Sequence, residues 1–344
     1  MTLFTDFKNA LLAPTSSNAD QHRWLNHFAE ACSAITGIEA KVTFDAFAAD
    51  VELDSGLAIN PQAAAWCLLD SQRSTVFIRG LYQALLDAAE RHPDRIINVL
   101  YAGCGPFASL LMPLLSQLPL PRYHFVLLDV HTRSLLSVDE LLTHFEFQEA
   151  HVVFECTDAS RWQSEERFDV IVSEVMQKAL EQEPQLAVTQ HLRTLLLDDG
   201  TFLPERIDIQ PVLAHWQVER QHLQGVDPDA MPAQLAESER IALHSPISLS
   251  IATAEQWPVP TQSQCMAQFD IPNIADINRF DVILCTTIQV YPGYHLHDWQ
   301  CTLTLPAKCY ELVDFRPGDV LELWYYNGRY PKFTLQKQSR SMGS

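Results

Sequence analysis

Two glycines one residue apart, Gly103 and Gly105, follow the apolar run at residues 96–101 and open a stretch of helical character. Without Cβ atoms the backbone there can turn sharply and approach a ligand closely. The third glycine of the dinucleotide fingerprint is missing, with Phe107 and Ala108 in that region. The expected ligand therefore lacks a pyrophosphate. Asp129 ends the next apolar run, 24 residues beyond Gly105, where a carboxylate can accept bonds from both hydroxyls of a ribose. Asp158, in Thr157-Asp158-Ala159, follows the third run. There, a carboxylate or a neighbouring backbone group can read an adenine amine; an Asp after a strand also serves as an ordinary turn or N-cap residue. Together these residues predict a nucleoside-type ligand.

Such a site needs a parallel sheet to carry it. Residues 96–101, 124–129, 152–156 and 168–173 read as strands. They alternate with helical stretches at 106–117, where Pro113 should limit the helix, and from 130 to about 145. This predicts an α/β Rossmann-like domain with helices on both faces. Upstream, 21–36 reads as an amphipathic helix with Trp24, Phe28, Cys32 and Ile35 on one face, and 61–91 as a second helix opened by Pro61. Beyond about residue 205 prolines cluster, and period-two runs follow at 282–290, 301–305 and 320–326. That half predicts an antiparallel β-barrel or sandwich. The expected division is a helical N-terminal region at 1–60, the Rossmann-like domain at 61–205 and a β-barrel-like domain at 206–344.

Composition narrows the partners. The 344 residues carry a formal net charge of −20, which argues against nucleic acid and suits a cationic substrate or simply a soluble surface. No apolar run approaches the ~20 residues of a membrane span, and no signal peptide is expected. The eight cysteines are scattered with no C-x-x-C pair, so neither a metal site nor a redox motif is predicted. Free thiols in the cytoplasm are the simplest account.

After the fourth strand, residues 173–183 begin Ser173-Glu174-Val175-Met176 and end in Glu183. This segment resembles the double-glutamate loop of protein arginine methyltransferases, with Glu174 and Glu183 at the family's spacing. Residues 195–206 are similar to the family's segment leading into its barrel. Residues 69–74 are similar to the helix whose arginine grips the methionine carboxylate of S-adenosylmethionine, a role that falls on Arg73. The resemblance covers roughly residues 60–210. It implies S-adenosyl-L-methionine as cofactor, Glu174 and Glu183 as catalytic residues, and Arg73, Gly103, Gly105, Asp129 and Asp158 as cofactor-binding. Two carboxylates suit a guanidinium, which stays protonated and presents a planar fork of donors. On one helix the two glutamates would face opposite ways, so they converge only if the segment folds back as a loop. The alternative is an ordinary solvated helix pairing Glu174, Lys178 and Glu181.

Two departures bear on the substrate. The stretch matching the family's cofactor-covering helix, residues 53–57, has no tyrosine. The nearest match to the family's Thr-His-Trp loop is Leu296-His297-Asp298-Trp299. The resemblance makes His297, Asp298, Trp299 and Met176 candidate substrate residues, and also permits an ordinary loop leading into a strand. An extra carboxylate suits free arginine or a small guanidino compound better than an arginine-containing peptide. Transfer to oxygen or carbon of another metabolite, and a catalytically silent cofactor-binding scaffold, stay open. Family members dimerise through an arm, for which residues 219–236 are the candidate, making a homodimer an expectation.

Overall fold

The computed structural model describes residues 2–41, 43–219, 240–274, 276–309 and 314–338. Two N-terminal helices, α1 (Thr2–Phe7) and α2 (Asn18–Thr36), begin the chain. Ser17 caps α2 by accepting from the Asp20 N–H, and Gly37 ends it at φ +71°. Trp24 and Phe28 of α2 stack with centroids 5.1 Å apart, and Phe7 lies 5.0 Å from Trp24. Burying each such ring is worth roughly 1.5–3 kcal/mol.

A short antiparallel hairpin follows, β1 (Val51–Leu53) and β2 (Gly56–Ala58). It falls inside the stretch expected to be helical. The single helix expected over 61–91 is divided into α3 (Pro61–Cys67) and α4 (Ser71–Arg91). Each half has its own cap, the Asn60 side chain accepting from Ala63 N and that of Asp70 from Arg73 N. A side-chain cap inside a helical run competes with the i→i−4 bond and ends the helix locally.

The central sheet contains β3 (Ile97–Ala102), β4 (Tyr123–Asp129), β5 (His151–Cys156), β6 (Phe168–Ser173) and β7 (Leu196–Leu203). Its order is β5-β4-β3-β6-β7, and every pairing is parallel. Helix α5 (Thr132–His144) connects β4 to β5, and α6 (Gln185–Leu192) leads towards β7. The stretch at 106–117 is not an α-helix: turns lead into a 3-10 segment, Met112–Gln117. Ala108 takes a left-handed φ of 41°, and the two prolines at 106 and 113 lack amide donors, so a regular ladder cannot run through.

The chain then enters antiparallel sheets. One contains β8 (Arg206–Ala214), β9 (Ile241–Ala242), β10 (Ile247–Leu249), β12 (Asp281–Tyr291), β13 (Tyr294–Leu296) and β14 (Ala307–Lys308). The other contains β11 (Gln262–Asp270), β15 (Val320–Asn327) and β16 (Lys332–Lys337). The run at 301–305 reads as a strand by alternation but forms a 3-10 turn, Thr302–Thr304. The Thr304 hydroxyl accepts from Cys301 N at 3.1 Å, substituting for a ladder partner. The candidate dimerisation arm at 219–236 lies outside the described residues except for Glu219. Helix α4 joins the two halves, burying Phe77, Leu81 and Leu85, and its Asp87 accepts from Tyr291 OH at 2.7 Å. No helix among the described residues is long and apolar enough to cross a membrane.

Candidate active site

The strand order reverses between β3 and β6, because the chain runs outward through β4 and β5 before returning. Ala102 pairs with Ser173 in register, so the residues leaving both carboxyl ends, Gly103 and Glu174, are neighbours. Ligands of open parallel sheets bind at this switch point. A cleft opens there with about 930 Å³ of space counted out to its mouth. Arg73, Gly103, Gly105, Asp129, Asp158, Glu174 and Glu183 all line it.

The glycine turn folds back on β4, with Gly103 N and Cys104 N donating to Leu128 O at 2.9 and 3.1 Å. Gly103 has φ +73°, and a Cβ built there would sit 2.2 Å from Val175 Cγ1. Asp129 is 8% exposed. It accepts from Gly105 N at 2.9 Å and His131 N at 2.8 Å, one bond on each oxygen. Burial raises its pKa, while bonds from His131 and Gly105 oppose the rise. Each oxygen keeps a further lone pair for hydroxyl donors. Asp158 accepts from Ser160 N at 2.9 Å, a turn bond, while facing the same cleft.

Residues 174–184 form a loop, and the solvated-helix alternative is thereby excluded. Ala179, Leu180 and Gln182 all have positive φ, between 52° and 63°, which turns the chain back so that Glu183 returns towards Glu174. Such backbone persists only where its surroundings over-determine it. Here Ala179 N donates to Thr286 Oγ1 at 3.1 Å, and Tyr325 OH donates to Leu180 O at 2.8 Å. Val175 N donates to Gln185 Oε1 at 3.1 Å.

Arg73, projecting from α4, donates to Glu174 Oε2. Glu174 Oε1 is buried and has no hydrogen-bond partner among the described residues. A buried carboxylate oxygen in that state is costly unless a donor reaches it. Burial raises the Glu174 pKa against the pull of Arg73. Glu183 is 7% exposed, and burial followed by the Glu174 charge pushes it up to about 8. The pair therefore holds fewer than two charges near neutral pH, and a cation between them favours full ionisation.

This arrangement has a consequence for stability. Glu183 rises from an ordinary 4.5 to about 8, so between these values the folded chain binds a proton that the unfolded chain releases. That contribution is complete below about 4.5 and fades as pH climbs through about 8. Denaturant midpoints of the ligand-free protein at pH 6 and pH 8.5 are expected to fall with pH, and Glu183→Gln to flatten the fall. Equal slopes in the two proteins would show that Glu183 ionises normally.

Four residues expected near the substrate do not line this cleft. Met176 is buried in the core and does not line the cleft. His297 is exposed, and its amide bonds Gln300 Oε1. Asp298 is ion-paired with Arg240, which also grips Glu219, and Asp298 and Arg240 line a second cavity instead. Trp299 is buried at φ +68°, its amide donating to Thr304 O. The same loop reaches the site through a different residue. Thr302 donates to Asp70 Oδ2 from both its amide and its hydroxyl, at 2.7 Å each. Asp70 caps α4 and so fixes the turn that carries Arg73. The signal for Asp70 was its N-cap spacing of three from Arg73; Thr302 left no local signal.

The parallel sheet, switch-point cleft and trailing antiparallel sheets make up a fold shared with a solved protein arginine methyltransferase structure. The chain is similar to a solved structure described as the Trypanosoma brucei PRMT1 enzyme-prozyme heterotetrameric complex with AdoHcy. The TM-score is 0.52 at 16% identity, over 80% of this chain and 92% of that one. It also matches Arabidopsis thaliana protein arginine methyltransferase 10, at a TM-score of 0.49 and 13% identity, over 81% of this chain and 93% of that one. No protein-family model and no curated protein matches the sequence.

Proposed function

We propose that this protein is an S-adenosylmethionine-dependent methyltransferase acting on a guanidino nitrogen of arginine, with free arginine or a small guanidino metabolite as substrate. The observation that carries this reading is the buried Glu174–Glu183 pair, with Glu174 Oε1 unpartnered on the lining of the switch-point cleft. The AdoHcy in the trypanosome complex supports the choice of cofactor. Residues 61–205 would supply the cofactor site, and 206–344 would serve as the substrate and dimerisation domain. A homodimer in the cytoplasm completes the proposal.

When bound, S-adenosylmethionine supplies an electrophilic methyl group on a sulfonium. The Asp129 carboxylate would accept the ribose hydroxyls, and the Gly103 turn would let the backbone come close. Asp158 would face the adenine. Arg73 has five donors, enough to keep Glu174 Oε2 while holding the methionine carboxylate. Glu174 Oε1 and Glu183 would receive the N–H fork of the substrate cation. Its charge draws Glu183 into the ionised form, and the two carboxylates aim one nitrogen along the line of transfer. Formation of the N–CH3 bond would break the S–CH3 bond, the electron pair staying on sulfur as the neutral thioether of S-adenosylhomocysteine, and a carboxylate of the pair would take the proton that the nitrogen loses. Such orientation can lower a barrier by several kcal/mol.

The test is incubation with labelled S-adenosylmethionine and, separately, arginine, an arginine-rich peptide and a metabolite pool. Methylarginine from free arginine is the expected product by mass spectrometry. Label only in the peptide would replace the small substrate with a protein one. Label only on oxygen or carbon of another metabolite would overturn the guanidino assignment.

A further inference from the structure

The hairpin β1–β2 has no assigned role, yet its tip reaches the double-glutamate loop. Leu57 N donates to Gln182 O at 2.7 Å. From the opposite side, Gln182 N donates to Pro331 O at 2.8 Å, in the turn between β15 and β16. The backbone of one residue, immediately before Glu183, is thus gripped through both its N–H and its C=O. Gly56 lets the hairpin come this close: it sits at φ +150°, and an added Cβ would lie 2.7 Å from Pro184 N and 2.9 Å from Gln182 O. The two jaws are joined on the surface, where Arg329 and the Tyr330 hydroxyl both donate to the Glu52 carboxylate.

We propose that β1–β2 and the β15–β16 turn form a clamp on the Gln182 backbone that sets the position of Glu183. Gly56 and Glu52 are positioning residues in it. This rests on the reading of Glu183 as a group that holds the substrate. Glu183 follows a residue at φ +63°, a conformation with little preference of its own, so outside contacts decide where its side chain points. Leu53 and Leu57 also line the cleft, which gives the competing account: the hairpin as a plain wall of the cofactor site.

The two accounts separate in a comparison of Gly56→Ala, Glu52→Arg, Arg329→Glu, the double reversal Glu52→Arg/Arg329→Glu, and Gly37→Ala. Gly37 is the control, with φ +71° but nothing within 4 Å of an added Cβ. The readouts are kcat at saturating substrates, Kd for S-adenosylhomocysteine by calorimetry, and hydrogen exchange of the 178–186 peptide. The clamp predicts that Gly56→Ala lowers kcat about 100-fold, as small misplacements of a substrate-positioning group do. Kd should stay within about threefold, exchange at 178–186 should rise, and Gly37→Ala should change nothing. Each single charge reversal should lower kcat about three- to fivefold, the range of an exposed pair, with recovery in the double variant. That comparison decides the matter if Gly56→Ala does not fold. Weakened S-adenosylhomocysteine binding with kcat intact at saturation would overturn the clamp, as would unchanged exchange at 178–186. If the wild-type protein methylates no guanidine, the functional reading fails, and the exchange measurement alone judges the clamp.

Discussion

Replacing Glu174 by Gln is expected to lower turnover on the guanidino substrate by about 10³-fold, while S-adenosylhomocysteine affinity stays within about threefold. The two side chains have the same shape, so the cleft is preserved. A Gln Oε1 can still accept from Arg73, which keeps α4 and its arginine in place. What disappears is the negative charge facing the substrate cation from a site where little water screens it. The Glu174 charge also contributes to the raised pKa of Glu183, so its loss lowers that pKa towards the ordinary range. Glu183→Gln should cause a loss of similar size without touching the Arg73–Glu174 pair, and the double variant should lose little beyond either single one, since the two act as a unit. Mass-spectrometric turnover and calorimetric titration on the same preparations provide the check. Wild-type turnover in either single variant would end the two-carboxylate mechanism.

Gly103→Ala is expected to weaken cofactor binding by at least about 100-fold. A residue other than glycine at φ +73° costs about 1–2 kcal/mol, and the added Cβ also falls 2.2 Å from Val175 Cγ1. The Val175 backbone is held through its amide by Gln185, and its β-branched side chain has few rotamers to move into. The clash therefore reaches both the cofactor turn and the first glutamate. Gly105→Ala is the graded comparison: its φ is +62°, but the nearest atom to an added Cβ, Ala64 Cβ, is 3.4 Å away. Calorimetry with S-adenosylhomocysteine should rank Gly103→Ala well below Gly105→Ala. Thermal denaturation without ligand separates lost binding from lost fold. Equal affinities in the two variants would mean that the close approach at Gly103 is not where the ligand sits.

Elements whose neighbours in sequence decide their shape were readable from residues alone. The strand at 168–173 was placed to the residue because its four apolar residues, Phe168, Val170, Ile171 and Val172, run up to a polar loop. The glycine turn and Asp129 were legible in the same way, each at the end of its own apolar run. The double-glutamate segment was legible through spacing, but whether it folded back was not. That depends on Thr286, Tyr325 and Pro331, which the chain supplies more than 100 residues later. Asp298 shows the same limit, since its partner Arg240 is 58 residues away. The stretch at 106–117 carried helical spacing, yet Ala108, Met112 and Leu115 are buried together with Phe107, Leu110, Leu111 and Leu114, a spread wider than one helix face can cover. Hairpin β1–β2 is too short for any periodicity to register.

The tethers of the double-glutamate loop also fix the order in which the protein becomes itself. Ala179 meets a partner 107 residues away, and Leu180 one 145 residues away. Closing spans of that length is entropically uphill until both halves have folded enough to offer the contacts in return. The parallel sheet can assemble first, from strands close in sequence, and still contain no aimed pair of carboxylates. During synthesis, Glu174 and Glu183 leave the ribosome well before Pro331. A nascent chain thus carries the chemistry in its sequence but not in space, and it gains a working site only after the β15–β16 turn has emerged and docked.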